Sequence, residues 1–330
     1  MRQRLLLPVP LLPRRRLRLP NSCRPLAKLG AWAPLLAAAT ALALPLAASA
    51  ETVLERATRS GEIVMVGPTD SPPLTSLDAK GQPVGYAIEV GKRIEAELAA
   101  QLGTKVRIRF QPVANTAEMV KAVASGGVDL ACGVPFTWER EMVVDYSMPI
   151  GLSGLRLLTS SGAIDGTPAS LLGRRVATVQ GSLGATALKV LQPAAKEVSF
   201  PSLEAAFKAV QQGKVEGLIG DSNVLAGLRR SANLSASRLV PEEPYVIYGV
   251  GCIVPENNSS FTNIVNLSIA RLMAGYLEAR PDAVASVDPW VGPNGVLGVP
   301  AERVRAFFQA LLLSREGFRI QPPAAAVGTP

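Results

Sequence analysis

The sequence predicts an α/β protein of two similar lobes, each a mostly parallel sheet flanked by helices, with a hinge between them. Three observations carry that expectation. From residue 51 onward, short apolar strands alternate with amphipathic helices, the pattern of helix-connected parallel sheets. One segment occurs twice, as Lys121-Ala122-Val123-x-x-Gly126-x-Val128-Asp129 and as Lys208-Ala209-Val210-x-x-Gly213-x-Val215-Glu216. In each copy a helix ends at a glycine able to take the left-handed conformation, and a strand then begins at a valine and an acid. The first fifty residues differ from everything after them, which leaves residues 51–330 for one large or two smaller domains.

Residues 1–50 carry eight Lys/Arg (Arg2, Arg4, Arg14, Arg15, Arg16, Arg18, Arg24 and Lys28) and no acid. An apolar run from Ala31 to about Leu46 precedes Ala48-Ser49-Ala50. A basic stretch, a short apolar core and an A-x-A site make a secretory signal peptide, cleaved after Ala50. The run is short and alanine-rich for a membrane-spanning helix. An exported, periplasmic protein is therefore expected.

The elements follow in order. Ile63-Val64-Met65-Val66 reads as a strand, with a proline-rich turn at Pro68 and Pro72-Pro73. Gly81 to Gly85 is a turn, after which Ala87, Val90, Ile94, Leu98 and Leu102 share one helix face. Val106 to Phe110 alternates as a strand with one buried face, a helix carries Met119, Val120 and Val123, and Val128 to Cys132 is the next strand. In the second half, Val176 to Val179 is a strand and Gly181-Ser182 opens a helix through Leu188 and Leu191. Leu203, Ala206, Phe207 and Val210 face one side of another helix, and Gly217-Leu218-Ile219 is a strand. Tyr245 to Val254 is β-like, and Ile269, Leu272, Met273, Val304, Phe307, Phe308 and Leu311 lie on helices. The tail at 321–330 is proline-rich, as disordered ends are.

Composition excludes several classes. The chain has 34 Lys/Arg and 26 Asp/Glu. Removing the eight presequence cations leaves the mature protein formally neutral, so no basic patch for nucleic acid is expected. With no histidine, nucleophile systems built on His and His-based zinc sites are absent. No cofactor is expected. Cys23 departs with the presequence, and Cys132 and Cys252 remain as a disulfide or as two buried thiols.

Ligands of open α/β sheets bind beyond the carboxyl ends of the strands. Arg140 falls in the loop after the Val128–Cys132 strand, and Asp221 directly follows Leu218-Ile219. Gly181-Ser182 offers amide donors at a helix start. Together these suit the carboxylate and ammonium of a zwitterion, because an arginine fork binds a carboxylate through two charge-assisted hydrogen bonds. Singly, Arg140 reads equally as a surface ion pair and Asp221 as a helix N-cap.

The same residues carry a resemblance. Asp70-Ser71-Pro72-Pro73-Leu74, Gly81-Gln82-Pro83-Val84-Gly85-Tyr86, Gly126-Gly127-Val128-Asp129-Leu130, Thr137-Trp138-Glu139-Arg140, Val144-Asp145-Tyr146-Ser147-Met148-Pro149, Gln180-Gly181-Ser182 and Asp288-Pro289-Trp290 stand in one order. From about Leu54 to Trp290 the chain resembles family 3 extracellular solute-binding proteins, the amino-acid receptors of ABC importers. The resemblance implies a type II periplasmic-binding-protein fold. Lobe 1 would take 51–155 and the return segment 247–320, lobe 2 would take 156–246, and the chain would cross near 155–160 and 243–249. It implies that Arg140 holds a ligand α-carboxylate with help from Gly181 and Ser182, and that Asp221 holds the α-ammonium with a carbonyl near Gly133. Ser71 and Thr137 stand in matching ligand-binding pieces. Cys132 and Cys252 resemble the cysteines of glutamate/aspartate-binding members, which favours the disulfide. A monomer that takes a small amino-acid-like ligand and works with an ABC permease is implied.

Departures from the pattern point to a rebuilt side-chain pocket. Pro135 stands where the family has a Ser or Thr donating to the carboxylate, and proline has neither donor. Pro68 and Met119 replace the arginines of acidic-ligand members, while Ser71 and Thr116 replace the aromatic platform of basic-ligand members. The expected ligand is a smaller or less polar amino acid, or another molecule entirely. The alternative is a permease-less orphan with a signalling or interaction role. A second is a periplasmic dehydratase on the same fold, though no carboxylate is assignable as its general acid.

Overall fold

The computed structural model describes residues 51–316; the signal-peptide reading of 1–50 and the tail at 321–330 lie outside them. Helix α1 (Val53–Ser60) opens with a reciprocal cap, Thr52 Oγ1 accepting the Glu55 amide while Glu55 accepts the Thr52 amide. Strand β1 (Glu62–Gly67) follows, then a small antiparallel sheet of β2 (Asp70–Ser71), β3 (Thr75–Leu77) and β4 (Pro83–Val84). Helix α2 (Tyr86–Leu102) buries Ala87, Val90, Ile94 and Leu98, the face expected from its period. Next come β5 (Arg107–Pro112), α3 (Thr116–Ala124), β6 (Leu130–Pro135), the single turn α4 (Trp138–Glu141), β7 (Asp145–Tyr146) and β8 (Gly151–Thr159).

The second half runs β9 (Arg175–Val179), α5 (Leu183–Leu191), β10 (Lys196–Phe200), α6 (Leu203–Gln211), β11 (Gly217–Asp221), α7 (Ser222–Ser231) and β12 (Arg238–Val240). The chain returns through β13 (Ile247–Val254) and ends on α8 (Ser259–Leu277), α9 (Pro281–Val287) and α10 (Ala301–Glu316).

Strand pairing runs in the order β10-β9-β11-β8-β13-β6-β1-β5. One half, β5-β1-β6, is parallel and meets the antiparallel β13; the other, β10-β9-β11, is parallel and meets the antiparallel β8. Two strands join the halves. Residues Gly151–Gly154 of β8 pair with β13, whereas Leu155–Leu158 pair with β11. β12 pairs with the far end of β8, and the return to β13 falls between Val240 and Ile247.

The duplicated segment has the same geometry in both halves. Gly126 has φ 69° and Gly213 has φ 65°, each just past a helix C-cap, where a left-handed residue closes the helix. The acids that follow also do the same work. Asp129 accepts the Val64 amide of β1 at 2.7 Å and pairs with Arg56. Glu216 accepts the Arg175 amide of β9 at 3.0 Å and pairs with Arg174 at 2.9 Å. Because the Asp129 side chain, not a backbone carbonyl, takes the Val64 amide, the β6 ladder starts at Leu130 opposite Met65. The strand expected at Val128–Cys132 is thereby displaced to Leu130–Pro135. Cys132 and Cys252 face each other across β6 and β13 and are joined by a disulfide.

Candidate functional site

The carboxyl ends of both parallel half-sheets open onto one cavity of about 100 Å³. Arg140 reaches it from α4, not from a loop as expected. Thr137 caps that turn, its Oγ1 accepting the Arg140 amide at 3.3 Å. The guanidinium donates to the Pro135 carbonyl at 2.8 Å, and the Tyr146 hydroxyl donates to the same oxygen at 2.8 Å. None of the ion pairs among the described residues involves Arg140. One nitrogen is thus anchored and the rest of the fork is free to bind an anion. Pro135 has no donor, yet its carbonyl aims the arginine.

Asp221 ends β11 and caps α7 on the opposite wall. Its Oδ1 accepts the Asn223 and Val224 amides at 3.0 and 3.1 Å and the Ser153 hydroxyl at 2.7 Å. Its Oδ2 lies 3.0 Å from the Tyr248 hydroxyl. The N-cap role is therefore real, and it coexists with a place on the cavity wall. Burial pushes the carboxyl above its ordinary range, although these four donors pull the other way. A carboxyl held against burial in this way gains most from a cation brought next to it. Burial likewise raises the Tyr248 hydroxyl.

The third polar element is the start of α5. Ser182 caps it, accepting the Ala185 amide at 3.2 Å, and Ser182, Leu183 and Gly184 line the cavity. Gly184 permits the approach, since a Cβ there would stand 2.7 Å from the Ile219 carbonyl of β11. The helix therefore points its positive end and free first-turn amides inward. Gly133, with φ 91°, and Ser71 also line the cavity.

Five of the sequence-selected residues, Arg140, Asp221, Gly133, Ser182 and Ser71, meet at the cavity. Thr137 and Gly181 do not line it: Thr137 supports Arg140 from behind, and Gly181 packs against Ala117 of α3. Pro68, Thr116, Met119 and Pro135 are at the wall, joined by the apolar Leu74, Leu183, Leu203 and Leu225. Sequence reading missed Tyr248, Asp70 and Asn115. The Asp70 motif was visible as a motif, but nothing in it told which way the carboxylate turns.

The fold and this cleft define a two-lobed α/β binding protein. Residues 63–279 match the bacterial extracellular solute-binding proteins, family 3, and the chain belongs to that family. The L-glutamate/L-aspartate-binding protein of Pseudomonas aeruginosa is 25% identical over 240 residues, covering 70% of this chain and 79% of that one. The arginine-binding protein 1 of an Escherichia coli ABC transporter is 24% identical, covering 62% and 82%. Among solved structures, the L-cysteine solute receptor of Neisseria gonorrhoeae superposes with TM-score 0.64 at 21% identity, covering 73% of this chain and 96% of that one. An ancestral amino-acid-binding protein, a precursor of cyclohexadienyl dehydratase, superposes with TM-score 0.61 at 21% identity, covering 73% and 100%. These solved structures bear on the fold. No helix among the described residues is long and apolar enough to cross a membrane.

Proposed function

We propose that this protein binds a small neutral amino acid by its zwitterionic head and delivers it to an ABC importer. One observation carries the reading: a free guanidinium, a helix N-terminus and a buried carboxylate converge on a cavity whose other walls are largely apolar. Arg140 and the α5 amides take the carboxylate; Asp221, with the Gly133 carbonyl, takes the ammonium. A charged ligand side chain would be buried against Pro68, Met119 and Leu74, with only Asp70, already taken by the Glu204 amide and the Ser71 hydroxyl, as a further charge in the lining, which is costly. Relatives named for glutamate, aspartate and arginine therefore mark the family rather than the ligand.

The proposal extends to the whole molecule. The two halves act as lobes with breaks at 155/156 and 246/247, in a monomeric periplasmic protein whose signal peptide is cut after Ala50. Binding, not catalysis, is proposed. Both cavity carboxylates are occupied, Asp221 as an N-cap and Asp70 by the Glu204 amide and the Ser71 hydroxyl; neither is placed as a general acid.

Thermal unfolding against a panel of amino acids tests this. A ligand at a hundred times its dissociation constant adds about 2.7 kcal/mol, on the order of 5–10 °C for a chain of this size. Shifts are expected with small neutral amino acids and not with Glu, Asp, Lys or Arg. Removing either charge, by Arg140→Ala or Asp221→Asn, should weaken binding by at least about 2 kcal/mol, the cost of stranding a buried partner, and cut the shift to about a third or less. A shift from charged amino acids alone, or one undiminished in both variants, would overturn the reading. Turnover of a prephenate-like compound would move it to the dehydratase.

A further inference from the structure

The N-terminus of α6 is capped twice, once from each side of the cleft. Its own Ser202 hydroxyl accepts the Ala205 amide at 3.2 Å. The Glu204 amide instead donates to Asp70 Oδ2 at 2.8 Å, and Asp70 sits on β2, 134 residues away on the opposite wall. Beside it, Asn115 Nδ2 donates to the Pro201 carbonyl at 2.9 Å, while Asn115 Oδ1 caps its own helix α3 by accepting the Glu118 amide at 3.1 Å. Two contacts, from β2 and from the cap of α3, therefore hold Pro201 and the Glu204 amide at the start of α6.

The surrounding surface fits this grip. A Cβ at Gly181 would come within 2.5 Å of the Ala117 Cβ, and one at Gly227 of α7 within 2.4 Å of the Pro72 carbonyl. At these two places the second half presents bare backbone to Pro72 and to α3. A carboxylate on a first-turn amide also meets the positive end of the helix dipole, so this hydrogen bond is charge-assisted. It exists only while the halves are together. Opening the hinge would leave the Glu204 amide to water and Ser202 as the only cap.

We propose that Asp70, assisted by Asn115, is the latch of the cleft: a positioning residue that sets how much of the molecule is closed, through the N-terminus of α6. The latch uses none of the groups assigned to the ligand head, and it holds whichever solute the cleft takes.

Residue-resolved amide exchange by NMR, on the protein without added solute, tests it. In Asp70→Ala the Glu204 amide is expected to exchange roughly fivefold faster, the size of a lost helix cap, with Ala205 unchanged. Asp70→Asn keeps an acceptor oxygen and should retain most of the protection. Ser202→Ala should give the converse, a faster Ala205 with Glu204 still slow. The X-ray scattering radius of gyration should rise in Asp70→Ala and not in Ser202→Ala. An unchanged Glu204 amide in Asp70→Ala would overturn the latch. So would equal acceleration of both amides, which signals fraying of α6 rather than opening of the cleft.

Discussion

Asp221 serves two masters. As an N-cap it takes two amides and a hydroxyl on one oxygen, and as a wall of the cleft it is the group proposed to meet a ligand ammonium. Its carboxyl is raised by burial in the protein alone, and a bound ammonium would pull it back down. The free form then holds a proton more readily than the bound form. Binding is fully expressed above the raised Asp221 pKa of the free protein and is lost as pH falls through it. Calorimetric affinity should therefore decline as pH is lowered from neutrality into the ordinary carboxylate range, with the fall beginning above that range. Asp70 is also raised by burial, so the decline should persist in Asp70→Asn if it belongs to Asp221. An affinity flat across that range would contradict the assignment.

At the scale of elements, the duplicated helix–glycine–strand unit was legible because it is local. Its glycine sits where a helix must turn left-handed, and its acid accepts an amide of the neighbouring strand in both halves. No atom lies within 4 Å of a Cβ built on Gly126 or Gly213, so substitution meets only the backbone penalty. Gly126→Ala and Gly213→Ala should each lower stability by about 1 kcal/mol, read from the denaturant midpoint. A large difference between them would argue against equivalent units. The α2 face and the strands β1, β9 and β11 were legible for the same reason: their periods are set by burial alone.

What stayed hidden was contact between distant segments. The displaced start of β6 depends on where Asp129 turns, and the short strands β2 to β4 depend on pairing across a proline-rich stretch whose residues alone read as a turn. Of the site, Arg140 and Asp221 could be placed from strand ends. Tyr248 could not, because it reaches Asp221 only through the pairing of β13 with β8. Thr137 and Gly181 belong to the right motifs but support the cavity instead of lining it.

At the scale of the molecule, two strands carry every sheet connection between the halves, and the cleft groups are divided between them. Arg140 and Gly133 come from one half; Asp221 and the α5 amides come from the other. On the proposed reading, closing the hinge is what would assemble a site for a zwitterion, since neither half holds both charges. Residues 51–330 carry 26 Lys/Arg against 26 Asp/Glu, and a small neutral solute needs no field to steer it. The most direct measurement takes the neutral amino acid with the largest thermal shift and titrates it beside its methyl ester and its N-acetyl derivative. The ester removes the anion that Arg140 and α5 would hold, and acetylation removes the cation that Asp221 would hold. The expected result is calorimetric binding of the zwitterion alone, with each blocked form weaker by at least about 30-fold, the equivalent of 2 kcal/mol. Equal affinity for either blocked form, or no neutral amino acid that binds at all, would contradict the two-charge clamp.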